Sequence, residues 1–180
     1  MTGMPEYPVT AHFNMPVDHH VFSLTEDGER PQIPEYANAI LALAPGFAAV
    51  NTGIAMGDVR LTVEVHQQPP TLDIDEWEEA VEVTLEATAG RIKVAAVDDS
   101  DPTPPFPVLT PNGPGYYRVR VHARGRDTAI DLAVDEPVED YLIQTWPAPP
   151  RPQKIYKQTD RYGSRWVLSA GKGTNDHYRD

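Results

Sequence analysis

The densest chemistry in the chain is the acidic run Asp73, Asp75, Glu76, Glu78, Glu79, Glu82 and Glu86. A second set of carboxylates, Asp98, Asp99 and Asp101, follows inside a proline-rich stretch. Carboxylates at this density can meet a cationic partner, imitating nucleic-acid phosphates or facing a basic protein, with opposite charge steering the encounter. They can also pair across strands with the basic stripe Arg118, Arg120 and Arg124, each pair stabilising by roughly 0.2–1 kcal/mol. Both readings stand. The candidate partner-binding residues are Asp73, Asp75, Glu76, Glu78, Glu79, Asp98, Asp99 and Asp101.

Other residue types offer less. His19 and His20 are adjacent, so on a strand they point to opposite faces and do not share an ion. His66, His122 and Glu64 could converge only if their strands were neighbours, and no H-E-x-x-H spacing occurs. The chain has no cysteine, which removes disulfides, thiolate ligands and thiol nucleophiles. There is no G-x-S-x-G, and Ser23, Ser100, Ser164 and Ser169 have no recognisable base partner. A phosphate-cradling glycine loop is absent too. No catalytic residue, metal or cofactor is expected.

The elements that must position these groups are strands. Val59, Leu61, Val63 and Val65 alternate with polar residues over Asp58–His66, as do Val81, Val83 and Leu85 over Trp77–Glu86. Tyr117, Val119, Val121 and Ala123 alternate with Tyr116, Arg118, Arg120, His122 and Arg124. Further strands are expected at Pro8–Phe13, His20–Leu24, Phe47–Thr52, Arg91–Val97 and Tyr141–Trp146. Turn residues separate them, as in Asn112-Gly113-Pro114-Gly115. Gln32–Ala44 is compatible with a short helix or an apolar strand. With 19 prolines and 12 glycines there is no room for long helices. The pattern predicts an all-β fold, an antiparallel β-sandwich of jelly-roll or Ig-like kind with at most one short helix.

Residues 1–146 are expected to form the sandwich domain. Residues 147–180 form a Pro-Ala-Pro-Pro-Arg-Pro spacer and a basic tail, part of which can return as an edge strand. Residues 1–110 carry 18 acidic and 4 basic side chains, against 9 and 11 in residues 111–180. An acidic body disfavours nucleic-acid binding by the main domain. No secretory signal or membrane-spanning run is visible, so a cytoplasmic location is expected. Arg151–Arg165 interleaves cations with Tyr156, Tyr162 and the following Trp166, a mix suited to self-association through the tail or to stacking on bases.

Three blocks occur in a fixed order: Gly57-Asp58-Val59-Arg60-Leu61-Thr62-Val63-Glu64-Val65 with Trp77-Glu78-Glu79-Ala80-Val81-Glu82-Val83, then Gly115-Tyr116-Tyr117-Arg118-Val119-Arg120-Val121-His122-Ala123-Arg124-Gly125, then Tyr141-Leu142-Ile143-Gln144-Thr145-Trp146-Pro147-Ala148-Pro149. This order resembles a widespread set of actinobacterial proteins. More distantly it is similar to the competence protein J family, in which an acidic protein inhibits a DNA-entry nuclease. The resemblance spans residues 57–149. It implies a shared fold and a non-catalytic, protein-binding role as an inhibitor or immunity factor acting on a basic protein, and it transfers no catalytic residue. A structural or assembly subunit with extended arms is the alternative. A small-ligand module using Trp77, Tyr116, Tyr141 and Trp146 as a platform ranks third.

Overall fold

The computed structural model describes residues 3, 5–26, 31, 34–97 and 102–165. Asp98, Asp99 and Asp101 lie outside the described residues. Among the described residues eleven strands form one sheet: β1 (Val9–Asp18), β2 (Val21–Glu26), β3 (Glu35–Tyr36), β4 (Leu41–Ala44), β5 (Phe47–Asn51), β6 (Met56–Val65), β7 (Glu79–Ala87), β8 (Ile92–Ala95), β9 (Gly115–Arg124), β10 (Asp140–Pro147) and β11 (Lys154–Gln158). Residues 161–165 are in helical turn conformation.

The all-β expectation holds, but the antiparallel sandwich does not. The sheet is single and mixed, in the order β11-β7-β9-β10-β6-β1-β2-β5-β4-β3, with β8 on β2. β6 and β10 run parallel, Leu61 beside Tyr141 and Val63 beside Ile143. Period-2 alternation reports which face of a strand is covered and is blind to strand direction. The sheet curls strongly into a half-barrel. The Gly46 amide, at the β4–β5 turn, donates to the Glu86 carbonyl of β7 at 2.8 Å, although five strands stand between β7 and β5 in the hydrogen-bonded order.

One apolar core fills the concave side. Phe22 and Leu24 of β2 meet Val59 and Leu61 of β6, Val81 of β7, Val121 of β9 and Ile143 of β10, all buried. Phe22 packs edge-to-face on Tyr141 across the curl, centroids 5.7 Å apart. Gln32–Ala44 resolves into the β3–β4 hairpin where it is described, its turn held by Asn38 Oδ1, which accepts from the Ile40 and Leu41 amides at 2.9 Å each.

The convex side is covered by chain rather than by a second sheet. From β6 the backbone crosses over β10 and β9 to reach β7 through residues 66–78. Beyond β10, residues 148–153 lie across β7 and β9, and β11 then pairs with the β7 edge. Arg118, Arg120 and His122 alternate as an outward face should, yet this proline-rich coat buries all three.

Candidate functional site

Beneath the coat lies a charge network centred on Glu82. The cross-strand register places Glu82 opposite Arg120 and Thr84 opposite Arg118. Arg118 Nε and Nη2 donate to Glu82 Oε2 at 2.9 and 2.8 Å, and Arg120 Nε donates to Oε1 at 3.1 Å. Other guanidinium hydrogens reach the coat, Arg118 donating to the Arg151 and Pro152 carbonyls and Arg120 to the Pro70 carbonyl, while Arg120 also donates to Gln144 Oε1 of β10. Arg120 also sits 4.9 Å from the Trp146 ring centroid. Burial would raise the Glu82 pKa, but the two guanidiniums outweigh it and hold it below the ordinary value.

A second knot sits at the end of the sheet. Arg126 is wholly buried, donating to Asp160 Oδ2 and Oδ1 at 2.7 and 3.0 Å and to the Ala39 and Asn51 carbonyls. Glu79 Oε1 lies 3.4 Å from Arg126 Nη2. The Asp127 carboxylate accepts from the Arg161 and Tyr162 amides at 2.9 and 2.8 Å, docking the helical turn and stacking Tyr162 on Arg126. Glu139 accepts from the Gly53 and Ile54 amides and from the Tyr141 hydroxyl. Gly53 passes so close to the Arg126 carbonyl that a side chain there would collide with backbone.

Burial, and then the neighbouring Asp160, push the Glu79 pKa up to about 9. Asp160 stays ionised beside Arg126, below its ordinary value. The folded state therefore holds a proton on Glu79 that the unfolded chain releases above about 4.5. More protons bound when folded means that stability falls as pH rises through this window. Burial raises the Glu139 pKa as well and gives the same sign. Urea midpoints are expected to drop between pH 6 and pH 9 in the wild type. Glu79→Gln, a neutral isostere of the protonated acid, is expected to flatten part of that slope.

Next to this knot a cavity of about 460 Å³ opens, lined by His19, His20, Tyr36, Asn51, Asp131, Tyr162 and Arg165. His19 and His20 are not on a strand. They are the two central residues of the β1–β2 hairpin, both with positive φ (53° and 64°), the twist that a two-residue turn needs. Asp131 also has positive φ, 62°. All three described non-glycine residues with positive φ thus line one cavity, and such conformations concentrate at functional sites. His20 Nε2 lies 3.3 Å from Asp131 Oδ1. Asn51 Nδ2 has no hydrogen-bond partner although the residue is only 6% exposed.

The candidate acids separate. Asp73, Asp75 and Glu76 are exposed on the crossing segment, with Glu76 Oε2 3.7 Å from Arg124. Glu78 Oε1 accepts from the Gly125 amide at 2.6 Å. Glu79 is buried in the Arg126 knot and presents nothing to a partner. His66 Nε2 is 2.8 Å from Glu64, while His122 Nδ1 turns to the Leu142 carbonyl, so these three do not converge. Among the described residues no group of three or more potential ligands is arranged to hold a metal. The aromatic quartet disperses: Tyr141 is in the core, Trp146 lies under Arg120, Trp77 stacks on Arg124 and Tyr116 is exposed. Sequence reasoning missed Arg126, Glu139 and Asp160, isolated in sequence, and the hairpin–loop cavity. The Asp18-His19-His20-Val21 spacing was the available signal for the turn.

These features define a class of all-β protein built on one mixed, curled sheet with a chain-covered convex face and buried ion networks. No family model and no curated protein sequence matches the chain. Two solved structures share its fold. ComJ from Bacillus subtilis, an inhibitor of the DNA-degrading activity of NucA, superposes with a TM-score of 0.53 at 12% identity, covering 81% of this chain and 100% of ComJ. The crocagin biosynthetic gene J protein gives 0.50 at 16% identity, covering 79% of this chain and 99% of its own. At these identities the likeness is one of fold.

Proposed function

We propose that the protein is a non-catalytic binding module that inhibits a cationic partner, as ComJ inhibits a nuclease. The supporting observation is how the fold spends its charges. Arg60, Arg118, Arg120, Arg124 and Arg126 are all paired with carboxylates of the sheet and its flanks. Asp73, Asp75, Glu76, Asp131, Asp135 and Glu136 remain at the surface. The field met by a partner on those faces is therefore more negative than an even spread of the net charge of −12 would give.

The test is capture from the source cells on the tagged protein, elution by salt, and assay of the eluted partner's nuclease activity with and without added protein. Inhibition that weakens with salt is expected. The association rate should fall on the order of tenfold between ~0.02 and ~0.3 M ionic strength. Recovery of only the protein itself, in a large salt-resistant complex, would instead favour the assembly reading.

A further inference from the structure

We infer that the partner docks at one end of the sheet, where the 127–136 loop meets the β1–β2 hairpin and the start of β6, and that it presents a basic polypeptide segment there. This rests on the proposed cationic partner and names its surface.

Met56 and Leu132 are 53% and 57% exposed, among the most exposed large apolar side chains described. The backbone brings them together. The Ala55 amide donates to the Leu132 carbonyl at 2.9 Å, the Val134 amide donates to the Met56 carbonyl at 2.9 Å, and Met56 bridges Ala133. Gly57, at φ 128°, lets the loop approach so closely that a side chain there would lie 2.6 Å from the Val134 carbonyl oxygen. The loop is thus pinned, and a pre-formed surface loses less entropy on binding.

Asp131, Asp135 and Glu136, all exposed, flank Leu132 along the loop, and no Lys or Arg occurs between Arg126 and Arg151. Apolar anchors inside a charged rim are the anatomy of a binding hot spot. The cavity narrows the partner's chemistry further. Its wall holds the buried Asn51 amide, which lacks an acceptor, together with the carboxylate of Asp131, whereas the acids Asp135 and Glu136 lie outside it. A ligand that fits brings a carbonyl to Asn51 and cations to Asp131 and the rim acids. A basic polypeptide does both, and a metal ion or a polyamine does not.

The experiment is a titration of the full ¹⁵N-labelled chain with a blocked hexapeptide of alternating arginine and leucine, followed by amide shifts. Spermine and the glutamate-for-arginine peptide are the controls. Saturable shifts on residues 18–20, 51–58 and 128–136 are expected with the arginine peptide alone. Met56→Ser with Leu132→Ser, two exposed positions, should weaken binding about tenfold. Asp75→Lys with Glu76→Lys should leave it unchanged. Shifts that map to residues 73–76, or an apolar double variant that binds as well as wild type, overturn this surface while leaving a cationic partner in place. Equal binding of the glutamate peptide would sink both readings.

Discussion

Glu82→Leu is expected to destabilise the protein by about 3–5 kcal/mol, because it leaves two buried cations without their anion. Removing the carboxylate leaves Arg118 and Arg120 buried with no anion, and a guanidinium cannot shed its proton in a protein to relieve this. The carbonyls of Arg151, Pro152 and Pro70 still solvate the two cations, but neutral acceptors do not cancel charge. Urea unfolding read by tryptophan fluorescence should show the midpoint fall. The deficit should be the same at pH 5 and pH 8, because neither arginine titrates in that range. A triple variant that also carries Arg118→Met and Arg120→Leu should recover much of the loss. Failure to recover would place the cost in lost anchoring of the coat rather than in unpaired charge.

That network was half legible in the sequence. Alternation placed Glu82, Arg118 and Arg120 on polar faces of adjacent-looking strands, and their pairing was one of two readings of the acidic run. What alternation could not carry is that this face would be covered. Burial of a polar face depends on where a loop travels after its strand ends. The route of residues 66–78 over β10 and β9 follows from a parallel crossover that leaves no periodic trace. The same blindness to strand direction turned a curled mixed sheet into an expected sandwich. The strands themselves were readable because inward positions such as Val59, Leu61 and Val63 repeat at period 2.

The Arg126 knot lay beyond sequence reasoning for a different reason. Glu79 reads as one more member of a charge run, and Asp160 as a tail residue after a proline-rich spacer. Only the fold sets both against Arg126, 34 residues from Asp160 and 47 from Glu79. Solvent-facing Asp75 and Glu76 and buried Glu79 belong to the same sequence pattern and differ completely in environment, because the chain enters β7 at Glu79 and turns that side chain toward Arg126.

Arg126→Met is expected to cost about 3–5 kcal/mol at pH 8, and visibly less at pH 5. Here the orphaned groups are acids, so they have the escape that arginines lack. Without the guanidinium, burial raises the Asp160 pKa toward that of Glu79, and the folded state takes up a proton that the unfolded chain does not hold at neutral pH. More protons bound in the folded state makes stability rise as pH falls, opposite to the ordinary acid destabilisation of paired carboxylates such as Asp140. Urea midpoints at pH 5, 6.5 and 8 separate the two knots: a pH-independent deficit for Glu82→Leu, a deficit growing with pH for Arg126→Met. Equal slopes would mean that Asp160 finds another cation or water when Arg126 is gone. Because Tyr162 stacks on Arg126 at 5.1 Å and also lines the cavity, loss of Arg126 should loosen the cavity wall as well. The arginine–leucine peptide should then bind less tightly to Arg126→Met than to the equally destabilised Glu82→Leu, whose lesion lies elsewhere on the sheet.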